Sequence, residues 1–305
     1  MPDPTATVTE VAGRRLRLTH LDRVLYPSTG FTKAAVLRYY TLVAPAMLPQ
    51  LAGRAASFLR LPEGVDGERF WAKRVPPGAP RWVAGLDVTH RQETMHQVVV
   101  EDLPTLLWAA NLGCLEIHVP QWRGDPATHD RLIIDLDPGE GASVLECCVV
   151  ALAARELLAA DGLAAWPKTT GSKGLHLTVP LLATPAREVS GYARELARRL
   201  RQALPDLVVD QMAKQLRPGR VFVDWSQNNS AKTTVAAYSL RARPEPTVST
   251  PISWAELAAC RSADELVFTP EQVTGRLAEL GDPYADLARP SAACALPRAT
   301  GAGSR

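Results

Sequence analysis

Cysteine is scarce in this sequence, and none of it has the spacing of a metal site. The chain has five cysteines in 305 residues, and the absence of C-x-x-C or Cys/His patterns excludes zinc fingers and zinc ribbons. Cys147 and Cys148 are adjacent within an apolar stretch that has the character of a helix. This usage is typical of buried free thiols in a reducing cytoplasm.

An excess of one charge and long apolar runs are also missing. The net charge of only +2 excludes attraction of nucleic acid by overall charge, so any basic surface must be local. No apolar run approaches the roughly 20 residues of a membrane helix, and the N-terminus lacks a secretory signal. We therefore expect a soluble, cytoplasmic protein without a membrane partner.

The composition that remains is that of a globular protein. Apolar residues make up 46% of the chain, which is enough for a sizeable core, and predicted strands and helices are interleaved along it. No repeat and no long linker divides the sequence, so we predict one intertwined α/β or α+β unit over residues 13–290. Residues 1–12 lack periodicity and residues 291–305 are rich in Ala, Pro and Gly, so both ends are predicted to be flexible.

Several element boundaries have clear local patterns. Ser143, Ser253 and Thr269 are each followed three residues later by Glu or Gln, which is the capping box that begins helices. Thr32 is predicted to cap a helix that runs to about residue 44. Residues 238–244 are predicted to contain the end of a strand.

Residues 131–138 are the most informative stretch. Their apolar residues indicate a buried strand, which presents Asp135 and Asp137 just before a proline. Because strand side chains alternate between faces, both aspartates must lie on one side of the sheet. Carboxylates held this close repel each other, and a divalent cation with oxygen ligands relieves that repulsion. The alternative is a turn with solvated aspartates at the end of the strand.

Two further segments are candidates for the same site. Asp224 is the one carboxylate of the apolar strand predicted over residues 221–225, where burial without a partner is costly, so it is a candidate third metal ligand. In residues 170–174, two glycines bracket Ser172 and Lys173 and allow backbone amides to surround an anion. The segment lacks the Walker spacing, and a simple hairpin turn explains the pattern equally well.

The N-terminal half contains cations and aromatic residues whose role cannot be assigned from the local sequence pattern alone. Lys33 falls in the first turn of the helix after Thr32, where an ammonium and free backbone amides favour an anion. An ordinary surface lysine is the alternative. Phe70 and Trp71 precede two cations, an arrangement that suits base stacking, although aromatic residues in a strand more commonly belong to the core.

Together, these motifs resemble the polymerase domain of bacterial DNA ligase D, a member of the archaeo-eukaryotic primase superfamily. The resemblance extends from about Leu16 to Leu280. It depends on six segments, which are residues 18–27, 115–118, 132–138, 168–176, 221–228 and 238–243. It implies an α+β, primase-like catalytic fold in which mixed and antiparallel sheets are flanked by helices.

The same resemblance implies a template-dependent nucleotidyltransferase. Such an enzyme adds ribonucleotides, and less readily deoxyribonucleotides, to primer ends at DNA gaps and breaks, with two Mn²⁺ or Mg²⁺ ions. The residues that match the metal-binding, catalytic carboxylates are Asp135, Asp137 and Asp224. Those that match triphosphate contacts are His118, Thr170, Ser172, Lys173, His176, Gln227 and Arg241. Those that match a pocket for the 5′-phosphate of a gap are Arg23 and Lys33, and those that match base or template contacts are Phe70, Trp71 and Arg217.

Some features depart from the family pattern. Arg23 stands where lysine is frequent, which changes the geometry of a phosphate contact, and Thr170 stands where serine is common. No ligase or phosphoesterase segment is present, so we expect a free-standing, monomeric polymerase near the bacterial nucleoid. Its expected partners are DNA with 5′-phosphates, NTPs and dNTPs, a separate DNA ligase and the end-binding protein Ku. The alternatives are a primase that begins chains without a primer, a DNA-end bridging factor in end joining, and a metal-dependent phosphohydrolase.

Overall fold

The structure, a computed structural model, describes residues 6–90 and 93–297. Over these ranges the chain forms fifteen strands and six α-helices. The strands are β1 (Thr7–Val11), β2 (Arg14–Leu18), β3 (Val24–Tyr26), β4 (Phe31–Thr32), β5 (Ser57–Arg60), β6 (Phe70–Ala72), β7 (Gly85–His90), β8 (Glu93–Val98), β9 (Cys114–Val119), β10 (Thr128–Pro138), β11 (Trp166–Thr169), β12 (Leu175–Pro185), β13 (Val208–Val209), β14 (Val221–Val223) and β15 (Thr234–Val235). The helices are α1 (Lys33–Leu51), α2 (Leu103–Asn111), α3 (Val144–Ala160), α4 (Ala186–Ala203), α5 (Trp254–Ala259) and α6 (Pro270–Leu280).

Two sheets carry the fold. One has five strands in the order β11-β12-β10-β14-β13, and the other has four in the order β15-β9-β5-β6. All neighbours in these sheets are antiparallel except β13 and β14, which are parallel. The expected mixed and antiparallel sheets of an α+β fold are therefore confirmed.

The larger of two hydrophobic clusters in the described ranges joins the two sheets. Helices α3 and α4 pack against β10, and α2 packs against β9 and α1. Buried side chains of both sheets, such as Ile117 on β9 and Ile134 on β10, belong to one cluster that extends from Leu16 to Leu287. Burial of this apolar surface is the main stabilising contribution, and it holds the two sheets in a fixed relation. No helix of the described ranges is long and apolar enough to cross a bilayer.

The capping boxes at Ser143, Ser253 and Thr269 form as predicted, each with both reciprocal hydrogen bonds. Thr32 caps α1 through its side chain. This helix continues past residue 44 to Leu51 and includes Pro45 and Pro49. The expected earlier end was wrong because burial of the apolar face outweighs the hydrogen bonds that the prolines remove.

Two other expectations were wrong. Residues 7–11 of the predicted flexible arm form β1, which pairs with β2 through a hairpin turn whose Gly13 has φ 75°. No strand forms over residues 238–244, where Tyr238 takes φ 67° and a single bridge joins Leu240 to Val248. In the predicted flexible tail, the backbone of Cys294 forms an isolated parallel β-bridge with that of Leu181. Residues 1–5 and 298–305 of the two predicted ends lie outside the described ranges.

Candidate active site

Three carboxylates from two neighbouring strands converge on the five-stranded sheet. Asp135 and Asp137 lie on β10, and Asp224 directly follows β14, the antiparallel partner of β10. The backbone amide of Asp224 donates a hydrogen bond of 2.9 Å to the carbonyl of Asp135. One carboxylate oxygen of each side chain lies within 4.8 Å of the others. The three acidic residues singled out in the sequence thus occupy one site.

Burial and mutual repulsion favour the protonated form of the two aspartates of β10. Burial raises the pKa of Asp135 to about 7, and the charge of Asp224 contributes. The pKa of Asp137 also rises to about 7, through burial and then the charges of Asp135 and Asp224. Oδ1 of Asp135 is buried and makes no hydrogen bond to any residue that the structure describes, although His176 Nε2 lies 3.2 Å away. An oxygen-rich site with an unsatisfied acceptor fits a hard divalent cation.

Local hydrogen bonds fix the orientation of Asp224. It caps the short 3₁₀ helix Trp225–Asn228, and its Oδ1 accepts from the Ser226 amide at 3.0 Å and from the Ser226 hydroxyl. Its Oδ2 accepts from Gln227 Nε2 at 2.9 Å. The Lys232 ammonium lies 3.7 Å from Oδ2 and donates to the Ser226 hydroxyl. The carboxylate therefore already has a fixed geometry before any ligand binds.

A cavity of about 500 Å³ opens beside the carboxylates. Its lining is mostly polar and includes three cations, Lys173, Arg217 and Arg241. The other predicted triphosphate contacts that line it are His118, Thr170, Ser172, His176 and Gln227. Carboxylates and cations that line one cavity suit a polyphosphate bound through divalent metal ions.

The turn at residues 170–174 joins the antiparallel strands β11 and β12 and also lines the cavity. Thr170 Oγ1 accepts from the amides of Ser172 and Gly174, at 3.3 and 3.2 Å. A Cβ atom at Gly174 would lie 2.2 Å from the Leu136 carbonyl oxygen, so the close approach to β10 requires glycine. The turn is a hairpin in form, and its position leaves Ser172 and Lys173 facing the cavity.

A buried ion network supports the wall of the cavity. Glu116 bonds His118 Nε2 at 2.7 Å, accepts from the Ala242 amide at 2.8 Å and lies 3.2 Å from Arg241 Nε. Burial opposes ionisation of Glu116, but the His118 hydrogen bond and the Arg241 charge outweigh it and lower its pKa to about 2. Arg241 also donates to the Thr170 carbonyl. One anion therefore orients two predicted triphosphate contacts.

The predicted 5′-phosphate residues form a separate pair. Arg23 donates to the Pro62 carbonyl at 2.8 Å and to Glu63, while Lys33 is only 6% exposed and lies 3.4 Å from the Thr19 hydroxyl. Burial, followed by the charge of Arg23, lowers the pKa of Lys33 to about 8. Lys33 has no carboxylate partner within the described ranges. A buried cation without a counter-ion is not an ordinary surface lysine, and it suits an anion as ligand.

Of the predicted base and template contacts, Phe70 and Trp71 are exposed and Arg217 is half-buried in the lining of the cavity. Phe70 and Trp71 on β6 are 43% and 60% exposed, which excludes a role in the core. The Trp71 ring stands edge-on to the His118 ring with centroids 5.0 Å apart, at the edge of the cavity. The guanidinium of Arg217 lies over the Phe222 ring, 3.7 Å from its centroid, and donates to the Met212 carbonyl at 3.0 Å.

Sequence reasoning missed Glu116 and Lys232. Glu116 was included only as part of a motif, although a carboxylate within the apolar strand β9 has the same burial cost that singled out Asp224. Lys232 lies in a polar loop, and no local pattern indicated its contact with Ser226 and Asp224. The first residue was detectable from the sequence, and the second was not.

Comparison with known proteins identifies the family. The model of the LigD primase-polymerase domain matches residues 32–284. The chain belongs to this family. It is 46% identical over 278 residues to the multifunctional non-homologous end joining protein LigD of Mycolicibacterium smegmatis, covering 90% of this chain and 36% of that protein. It is 30% identical over 278 residues to the bifunctional LigD of Bacillus subtilis, covering 90% of this chain and 44% of that protein.

A solved structure supports the same assignment. The LigD polymerase domain of Mycobacterium tuberculosis, determined in complex with DNA, is 44% identical, with a TM-score of 0.86 over 90% of this chain and 98% of that one. The expected resemblance to the ligase D polymerase domain and its fold are confirmed. The chain spans between about a third and a half of the length of the LigD proteins it matches.

Proposed function

We propose that this chain is a metal-dependent, template-directed nucleotidyltransferase that extends DNA primers across short gaps and at broken ends. The observation that carries the proposal is the convergence of Asp135, Asp137 and Asp224 beside a cavity lined by cations. Membership of the LigD primase-polymerase family supports it. We further propose that ribonucleotides are preferred and that end joining of DNA breaks is the cellular process.

The residues of the site fit two divalent cations, which we propose to be Mn²⁺ or Mg²⁺. Asp135, Asp137 and Asp224 would hold them. When bound, such ions lower the pKa of a primer 3′-hydroxyl and neutralise the triphosphate and the leaving pyrophosphate. The hydrogen bonds from Ser226 and Gln227 hold Asp224 ready for this role.

The chain's own residues would position the nucleotide. Lys173 and Arg241 offer charge-assisted hydrogen bonds to phosphate oxygens, and Ser172 and Thr170 line the same wall. His176, with a pKa well below its ordinary value through burial and then the charge of Lys168, stays neutral and offers a ring N–H without adding charge. Glu116 orients Arg241 and His118 through its contacts with both side chains.

We propose that Lys33 and Arg23 bind the 5′-phosphate at the far side of a gap, and that Phe70, Trp71 and Arg217 contact the incoming base or the template. The burial of Lys33 without a carboxylate partner supports the first assignment. The exposure of both aromatic rings, and the contact of the Trp71 ring with His118 of the cavity, support the second. A separate ligase would then seal the filled gap, and an end-binding protein would supply the DNA end.

Primer extension tests the proposal. A labelled primer in a short gap should be extended with Mn²⁺ and ribonucleotides, and Asp137→Ala should abolish extension while the protein stays folded. Primer extension that survives this substitution would contradict the assignment of the three aspartates as catalytic residues. A single-stranded template without a primer distinguishes a primase, which would produce short products from it.

A further inference from the structure

A second cavity, of about 440 Å³, opens next to the active-site cavity, and Thr233 lines both. Its walls come from the β7 and β8 hairpin, from the start of β5, and from the segments around Trp122 and Ser230. None of the residues assigned above to metal, triphosphate, 5′-phosphate or base contacts lines it. The polymerase mechanism leaves this cavity without a role.

The lining of the second cavity suits a flat organic group with polar edges. Val88, Met95 and Trp122 supply apolar surface, and the indole N–H of Trp122 is already bonded to the Ser230 carbonyl at 2.9 Å. Ser57 is 1% exposed, and its buried hydroxyl oxygen makes no hydrogen bond within the described ranges. Gln97, 6% exposed, also lines the cavity. A few polar groups in a mostly apolar pocket of this size are typical of ligand sites.

The charge of the second cavity limits what it binds. Lys73 is its one cationic lining residue, and it has no ion pair in the part of the chain that the structure describes. The first cavity, by contrast, has Lys173, Arg217 and Arg241. One positive charge matches a single phosphodiester, whereas three match a triphosphate. The lining of the second cavity therefore suits a nucleotide within a strand better than a free triphosphate.

The two cavities lie along one path. Lys73 directly follows β6, whose Trp71 contacts His118 in the first cavity. Ser57 pairs with His118 across β5 and β9. The exposed aromatic residues of β6 therefore lie beside both cavities, and a strand that passes them can enter the second cavity.

We propose that the second cavity takes one unpaired nucleotide of the template strand, next to the nucleotide being copied. Its base lies between the apolar walls with its edge on Ser57 and Gln97, and its phosphate lies on Lys73. This proposal rests on the proposed polymerase function. Beyond that function, the proposal names a subsite for one template nucleotide. In a one-nucleotide gap this subsite stays empty, because the template nucleotide next to the copied one is paired with the downstream strand.

Gap length provides the test. Ser57→Ala removes a hydroxyl that makes no hydrogen bond within the described residues, and Ala231→Trp fills the cavity from an exposed loop position. For a three-nucleotide gap, Ala231→Trp should weaken binding and raise KM by about tenfold, the effect of losing one stacked base, and Ser57→Ala should do so by about threefold, the effect of losing one hydrogen bond. Binding and extension at a one-nucleotide gap should stay within about twofold of the unmodified protein. Ala258→Trp, at an exposed position of α5 outside both cavities, is the matched control.

An abasic site gives an independent measurement. An abasic site at the unpaired template position next to the copied nucleotide should weaken DNA binding by the unmodified protein by about tenfold. The same abasic site should not weaken DNA binding by Ala231→Trp any further. Lys73→Gln should lower the slope of log Kd against log salt by about 0.7 on the three-nucleotide gap. Equal losses on both gaps, or an abasic penalty of the same size in Ala231→Trp, would overturn the proposal. Failure of the polymerase function itself would appear differently, as no extension of either gap by the unmodified protein.

Discussion

Glu116 Oε1 lies 3.2 Å from Arg241 Nε, although one residue is on β9 and the other is in an irregular segment far along the chain. Glu116 is buried and Arg241 is half-buried, and Arg241 lines the active-site cavity at the proposed nucleotide site. Pairing with the Glu116 carboxylate restricts where the Arg241 guanidinium can lie. We therefore predict that Glu116 positions Arg241 for nucleotide binding.

Glu116→Gln should separate binding from chemistry. The substitution keeps the shape of the side chain but leaves the half-buried Arg241 without its counter-ion, so we expect KM for the nucleotide to rise about tenfold, and kcat to change less. The free energy of unfolding should fall by about 2 kcal/mol. Steady-state kinetics and thermal denaturation measure both. The exposed Glu279→Gln should change neither, and an unchanged KM in Glu116→Gln would contradict the positioning role.

The stability difference between the unmodified protein and Glu116→Gln should depend on pH in one direction. The pKa of Glu116 is about 2 in the folded protein and about 4.5 when unfolded, so its stabilising contribution is complete above pH 4.5 and disappears as the pH falls through 2. The stability difference between the unmodified protein and Glu116→Gln should therefore persist at pH 5 and shrink below pH 3. Urea denaturation at these pH values measures it.

Without metal, the carboxylate cluster should destabilise the fold. The pKa of Asp137 is about 7 in the folded protein, above its unfolded value of 3.8, so stability decreases as the pH rises from about 4 to 7. We expect Asp137→Asn to stabilise the protein in EDTA at pH 8 by about 1 kcal/mol, allowing for the partial exposure of Asp137. The gain should vanish near pH 4. A lower melting temperature for Asp137→Asn at pH 8 would show that repulsion does not dominate the site.

Metal affinity should rise with pH. Asp135 and Asp137 bind protons with a pKa of about 7, and a cation must displace them. Between pH 6 and 8 the Kd for Mn²⁺ should fall by about tenfold or more. Calorimetry in two buffers of different ionisation enthalpy would measure the protons released. Asp137→Asn should release fewer, whereas an affinity that is independent of pH would contradict the coupling.

Affinity for the 5′-phosphate proposed to bind Lys33 should decrease at alkaline pH. Lys33 has a pKa of about 8 because burial and then the charge of Arg23 disfavour its ammonium. Its positive charge is therefore complete below pH 7 and decreases as the pH rises through 8. Affinity for 5′-phosphorylated gaps should fall over that range, while affinity for unphosphorylated gaps changes less. Lys33→Ala should weaken binding to the phosphorylated gap by about tenfold and remove the difference between the substrates.

The sequence alone determined the local features of this protein. Alternation along β10 places Asp135 and Asp137 on one face, because strand geometry requires it. The three capping boxes begin α3, α5 and α6 because the bonds they make are local. The family and the α+β fold followed from motifs whose order along the chain is itself sequence information.

The tertiary structure decided everything that depends on approach between distant segments. Strand pairing sets Asp224 beside Asp135, and packing of β9 against the following chain sets Glu116 beneath Arg241. The second cavity exists because the β7 and β8 hairpin stands opposite β5 and the loop at Ser230. Such contacts depend on the whole balance of core burial and chain entropy, and no local pattern of residues encodes them.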